Sequence, residues 1–313
     1  SIYLPIWTNA VPQKLKSLLK LIWWLLVLTF VSLFLHKNLN ATLEIVNRLP
    51  LMVITVAFLA IVVAKVLLVL VMHLALSRYQ IDLGYLRCFT IYNITQLGKY
   101  IPGSIWQYVG RITLYKEAQI SNAKIRDTLL LETFWVVFSA LLIGLCLILL
   151  TQHSLIIEII GQLPGYLTHP LTLGLFATLI ILLAVMLRRT LQHYVKQFMF
   201  SPIAALVVSS LWICLGFSFW ITLLPYASQD ISFIYIVGLY ALSYALGFAV
   251  PFAPAGIGVR EAVLVMGLLP YLDANTAIVL ATINRLFYII SEILLVLISN
   301  HLTVRETKES LTP

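Results

Sequence analysis

Several charged residues sit within or beside stretches that are otherwise apolar. Lys65, Glu132, Arg285 and Glu292 fall inside such runs, while Lys99, Arg111, Arg260 and Glu261 flank two interruptions rich in proline and glycine. Arginine and lysine in these surroundings point to the binding of an anion, phosphate above all. The interruptions read "GKYIPGSIWQYVGR" at 98–111 and "PFAPAGIGVREA" at 251–262. Pro102, Pro251 and Pro254 lack an N–H and end the helix before them. Gly103, Gly256 and Gly258 permit tight turns, and Ser104 suits the cap of the helix that follows. A helix that resumes after each break starts with free N–H groups and the positive end of its dipole, which together favour an anion. Arg260 lies in the first turn after its break, about 6 Å from it at 1.5 Å per residue. Arg111 lies further along its own helix, with Gln107 one turn before it and able to share its ligand. Lys99 either joins this group or anchors its segment at lipid headgroups.

A charge at the centre of a bilayer costs at least about 2.5–3.5 kcal/mol, so each needs a partner or water. The expected partners are Glu132 for Arg260 and Glu261 for Arg285. Ion pairing for structure alone, with snorkelling at span ends, is the competing account for all of these residues, Lys65 and Glu292 in particular.

The elements that position them follow from composition. The chain has 313 residues, 61% hydrophobic and 10% charged, whereas soluble domains carry roughly a quarter charged residues. It therefore reads as one all-α polytopic membrane domain over residues 1–313. Apolar runs of about 18 or more residues mark spans, and six are expected, at roughly 18–36, 50–77, 128–150, 171–187, 203–224 and 276–299. Two further stretches, 81–118 and 231–270, are helix-like but broken, and each suits a re-entrant hairpin that enters and leaves on one side.

Charge sets the orientation. Lys14, Lys16 and Lys20 place the N-terminus in the cytoplasm, as does the cluster Arg78, Arg87, Lys99, Arg111, Lys116, Lys124 and Arg126 for the region after the second span. If 231–270 is re-entrant, the tail with Arg305 and Lys308 returns to the cytoplasm as well. The expected location is the cytoplasmic (inner) membrane of a bacterium. The net charge of +8 follows this pattern, so a nucleic-acid partner is not expected.

The two interruptions also resemble each other. "LGKYIP" at 97–102 aligns with "LGFAVP" at 246–251, an offset of 251 − 102 = 149, and Arg111 to Arg260 gives 260 − 111 = 149. "LETFW" at 131–135 and "NRLFY" at 284–288 then open the next span after a small shift. Residues 14–150 and 171–300 become two repeats, each with an odd number of crossings, so the second is inverted. Inverted repeats with discontinuous helices are a transporter pattern.

Signals for chemistry are thin. Asp82, Asp127, Asp230 and Asp273 fall at span ends, and the histidines and Cys88, Cys146 and Cys214 show no metal-ligand spacing. No nucleophile motif or phosphate-binding Gly-Lys-Ser/Thr loop is present. No catalytic residue, metal or cofactor is expected. The tryptophans at 23, 24, 106, 135, 212 and 220 suit packing or interface anchoring.

"GKYIPGSIWQYVGR", "LLLETFW" and "PFAPAGIGVREA", in that order and spacing, resemble the lysylphosphatidylglycerol synthase/flippase transmembrane family. Ala255 stands where that family usually has glycine. The family includes the membrane half of the multiple peptide resistance factor, whose soluble aminoacyl-transferase domain has no counterpart here. The resemblance implies a flippase-like protein handling a lipid with an anionic headgroup, phospholipid or polyprenyl-phosphate glycolipid, alongside a lipid-modifying enzyme or glycosyltransferase. Two alternatives stay open: a membrane-embedded lipid-linked glycosyl or aminoacyl transferase, with Glu132 or Glu261 as its carboxylate, and a small-solute secondary transporter.

Overall fold

The computed structural model describes residues 43–101, 105–152, 201–227, 231–250 and 253–309, with isolated positions between 178 and 196. Among the described residues there are helices and no strands. The long helices are α1 (Leu51–Arg78), α4 (Asn122–Thr151), α5 (Pro202–Leu223) and α8 (Ala274–Glu309). All four are long and apolar enough to cross a membrane, and they coincide with the spans expected at 50–77, 128–150, 203–224 and 276–299. The spans expected at 18–36 and 171–187 lie outside the described residues. α1 ends at Arg78, where Gln80 turns the chain in a left-handed conformation at φ 55° and the Ile81 N–H donates back to the Leu76 carbonyl. Pro202 opens α5 at a position where a missing N–H costs nothing. Asp273 caps α8 by accepting the Thr276 N–H at 3.0 Å, and hydrogen bonding to Thr276 holds its carboxyl below the usual carboxylate range.

Both interrupted stretches fold as antiparallel helix pairs. In the first, α2 (Tyr85–Gln96) ends in a 3-10 turn at Leu97–Tyr100, and α3 (Trp106–Glu117) runs back along it. A Cβ on Gly98 would stand 2.6 Å from the Gln107 backbone nitrogen, and one on Gly110 would stand 3.2 Å from the Thr95 side chain. In the second, α6 (Phe233–Ala249) is followed by a 3-10 turn at Pro254–Gly256 and by α7 (Val259–Leu268). Near its open end the Tyr235 hydroxyl donates to the Gly267 carbonyl at 2.9 Å. At its tip Gly247 and Gly256 face each other across a gap that leaves no room for a side chain.

These pairs point in opposite directions. The first opens beside the start of α4, to which it is joined by a short turn at 118–121. The second opens at the far end of α4, where Gln152 donates to the Tyr271 hydroxyl and Gly238 packs on Leu147. Glycine governs this packing: a Cβ on Gly144 would meet the Leu242 backbone at 2.7 Å, and one on Gly216 would meet Val237 at 2.6 Å. Small residues let helices approach this closely where no water is present to drive them together. The two 3-10 turns touch each other in the interior, so the tips converge between α1, α4 and α8.

Trp135 and Trp212 are wholly buried, and Trp212 Nε1 donates to Ser139 Oγ at 2.9 Å. Trp220 Nε1 donates to the Ile231 carbonyl at 2.9 Å, whereas Trp106 is exposed. Trp23 and Trp24 lie outside the described residues.

Candidate functional site

The tips enclose a cavity of about 270 Å³ lined by Lys99, Gln107, Arg111, Glu132, Arg260 and Arg285, among others. Backbone of the second break, at Ala253, Ala255 and Gly256, forms part of its wall, and Tyr92, Tyr108, Tyr244 and Tyr288 form another part. Of the expected break residues, Pro102, Gly103, Ser104 and Pro251 lie outside the described residues. Pro254 opens the 3-10 turn, and Gly256 (φ 71°) and Gly258 (φ 87°) adopt the left-handed conformations that glycine allows. Ala255 shares that conformation at φ 53°, which costs an L-residue about 1–2 kcal/mol. Ala255→Gly relieves this but loosens the unfolded chain by about 0.4–1 kcal/mol. A net gain of roughly 0.5–1 kcal/mol is expected, read as a higher thermal midpoint in detergent; a fall would contradict the strain.

The charges around the cavity fall into pairs that differ partly from expectation. Arg111 Nη1 reaches both oxygens of Glu132, at 2.6 and 2.7 Å, and Arg111 is 1% exposed. Glu132 therefore serves Arg111 and not Arg260. The reason is local: α3 and α4 are consecutive, and the short turn between them brings 111 beside 132. The guanidinium of Arg111 also lies 4.7 Å from the Tyr92 ring.

Arg285 pairs with Glu261 as expected, Nε to Oε1 at 3.5 Å, and its Nη2 donates to the Ala255 carbonyl at 2.8 Å. The second bond satisfies a backbone oxygen that the break would otherwise strand. Glu261 also accepts the Gly258 N–H at 2.7 Å, so it caps its own helix instead of competing for Arg111 or Arg260. The free N–H groups anticipated at the start of α7 are thus partly taken by this carboxylate.

Lys65, Lys99 and Glu292 form a third group. Glu292 Oε1 accepts from both lysines, and Oε2 accepts from the Tyr100 hydroxyl at 2.7 Å. Lys65 and Glu292 are almost completely buried, which fits the ion-pairing account given to them above. Lys99 is 9% exposed, too buried for an anchor at lipid headgroups, because the 3-10 turn at Leu97–Tyr100 directs it inward. Lys99 lines the cavity as well, so it stands between this ion-pair group and any ligand.

Arg260 has a different environment. It is 5% exposed, and no carboxylate pairs with it among the described residues. Its guanidinium lies 5.3, 5.0 and 5.4 Å from the rings of Tyr240, Tyr244 and Tyr288, close enough for cation–π attraction. Its Nε has no hydrogen-bond partner in the described structure, and the same holds for Arg285 Nε and Nη1. Buried donors in this condition call for an explanation, and an incoming ligand supplies one.

Tyr288 is the residue that the sequence reading passed over. Lys65 Nζ lies 3.2 Å from its ring centroid, Lys99 Nζ 4.9 Å, and the Arg260 and Arg285 guanidinium carbons 5.4 and 5.5 Å. The one signal for it was its place one turn after Arg285 on α8.

A family model described as the lysylphosphatidylglycerol synthase TM region matches residues 17–295. A search among curated proteins returns no match.

Proposed function

The chain belongs to the lysylphosphatidylglycerol synthase transmembrane family, and on that premise we propose that it moves a lipid with an anionic, phosphate-bearing headgroup across its membrane. The observation that carries this reading is Arg260, a buried cation without a carboxylate partner among the described residues, at the wall of a cavity between two helix breaks. The phosphate sits against Arg260, with Arg111, Gln107, Lys99 and Arg285 around it, and the acyl or prenyl tails remain in the bilayer.

In this reading, 14–150 and 171–300 are inverted repeats, and 81–118 and 231–270 are re-entrant. Several observations support it. At 1.5 Å per residue, the arms of 12, 12, 17 and 10 residues reach roughly 15–26 Å, short of the ~30 Å hydrocarbon core. The pairs open at opposite ends of α4. Equivalent glycines, Gly98 and Gly247 (247 − 98 = 149), each stand where the returning arm crosses most closely. Arg78, Arg87, Lys116, Lys124 and Arg126 crowd one end of the bundle, which positive-inside counting assigns to the cytoplasm of the inner membrane, with both chain termini. Rocking of one repeat against the other then alternates access. An enzyme that modifies the same lipid is the implied partner. A transferase reading is weakened by Glu132, the carboxylate at the cavity wall, because Arg111 holds both of its oxygens.

Reconstitution in liposomes with fluorescent phospholipids tests the proposal. The Arg111→Ala/Arg260→Ala variant is expected to lose at least tenfold in lipid movement, since each arginine removed takes one charged hydrogen bond worth about 1.5–3 kcal/mol. Arg260→Gln, which leaves the Arg111–Glu132 pair intact, gives a milder check on folding. Wild-type rates in the folded double variant would rule out this site.

A further inference from the structure

The charges around the cavity do not sum to zero. Glu132 cancels Arg111, Glu261 cancels Arg285, and Glu292 cancels one of Lys65 and Lys99. Arg260 and the second lysine remain, so the described residues leave two positive charges without a carboxylate. The repeat alignment shows where the excess arises. Arg260 stands where the first half has Arg111, and the shift of "LETFW" onto "NRLFY" (285 − 132 = 153) puts Arg285 where the first half has Glu132. The position that neutralises an arginine in one half is itself an arginine in the other.

The carboxylates, for their part, are each already engaged by a cation. Both oxygens of Glu132 accept from Arg111, and those of Glu292 accept from two lysines and Tyr100. Glu261 accepts the Gly258 N–H through Oε2, while its Oε1 lies 3.5 Å from Arg285 Nε as an ion pair. A ligand bearing an ammonium group would find rings already facing cations and, among the described residues around the cavity, no carboxylate without a cation partner. Meanwhile the Nε of Arg260 and the Nε and Nη1 of Arg285 are buried donors that lack acceptors. A cavity of about 270 Å³ is also small among ligand sites, which suits a compact group.

From this charge imbalance we infer that the cavity selects a headgroup with two negative charges and no amine, a lipid phosphate monoester or terminal diphosphate. It disfavours phosphodiesters and, more strongly, aminoacylated headgroups. The inference rests on the reading that the cavity receives a lipid headgroup at all.

The test is binding of short-chain lipids to the purified wild-type protein, followed by the shift in thermal midpoint as each is titrated. The lipids are phosphatidic acid as monoester, an isoprenyl diphosphate, phosphatidylglycerol as diester, and lysylphosphatidylglycerol as the cationic case. Phosphatidic acid or the diphosphate is expected to bind roughly tenfold or more tightly than phosphatidylglycerol, with the lysylated lipid weakest. The tighter of the first two identifies the source of the dianion. In Arg260→Gln the gap between monoester and diester is expected to close. Equal binding of monoester, diphosphate and diester, or of the lysylated lipid, would overturn the selection while leaving transport intact. Selective binding without movement of any lipid in liposomes would remove transport and keep the selection. If none of the lipids binds, the headgroup reading falls, and this inference with it.

Discussion

Glu292→Ala is expected to destabilise the folded protein by about 3–5 kcal/mol, the usual cost of stranding a buried charge. The loss is large because one carboxylate serves two ammonium groups and a phenol, and because it joins α8 to both α1 and the tip of the first hairpin. Removing it leaves Lys65 and Lys99 repelling each other beside Tyr288. Little protein should then be recovered in folded form, and thermal unfolding of what remains should begin far below that of the wild type. Replacing all three by methionine offers the control, since an apolar substitute for a buried ion group is often neutral or better. Recovery in the triple variant, without recovery in Glu292→Ala, marks the cost as electrostatic. Equal stability of Glu292→Ala and wild type would show that the group is not buried as described.

The second large effect is expected at Gly98. A side chain there meets backbone, the Gln107 nitrogen and the Trp106 carbonyl carbon at 2.6 and 2.8 Å from the added Cβ. Backbone cannot rotate aside, so Gly98→Val should reach the upper end of overpacking costs, about 3 kcal/mol. Gly247→Ala, at the tip of the second pair, meets the flexible side chain of Arg260 first. That variant should lose less stability, because the arginine can be displaced, yet it should lose ligand binding along with the arginine's position. Comparing thermal midpoints and lipid binding in the two variants separates a hinge that must close from a cation that must point inward. Similar profiles for both would contradict the distinction.

Much of the architecture was legible because a bilayer leaves few alternatives. Uninterrupted apolar runs located α1, α4, α5 and α8, and proline with glycine located the breaks. Partner choice was harder. Arg285 and Glu261 sit on adjoining elements, α8 and α7, and their pairing was anticipated. Arg111 and Arg260 take the same place when the two interruptions are aligned, so nothing in the alignment decided which of them takes Glu132; the turn at 118–121 decides it. Tyr288 was missed because a tyrosine among apolar residues resembles ordinary packing. Its role emerges only when four cations from α1, the first hairpin tip, α7 and its own helix converge on one ring. The inward turn of Lys99 was likewise invisible, since it depends on a 3-10 geometry that composition does not specify.

The join between Lys65 and Glu292 also constrains biosynthesis. These residues are separated by 227 positions, which at 5–20 residues per second takes roughly ten to fifty seconds to synthesise. Throughout that interval α1 carries a charge whose counter-ion has not yet left the ribosome. A charge at the bilayer centre costs at least about 2.5–3.5 kcal/mol, so a wet site beside other protein is favoured for α1 until α8 arrives. The last described helix is therefore the one that supplies α1 with its counter-ion, and a nascent chain truncated before residue 292 would leave Lys65 without it.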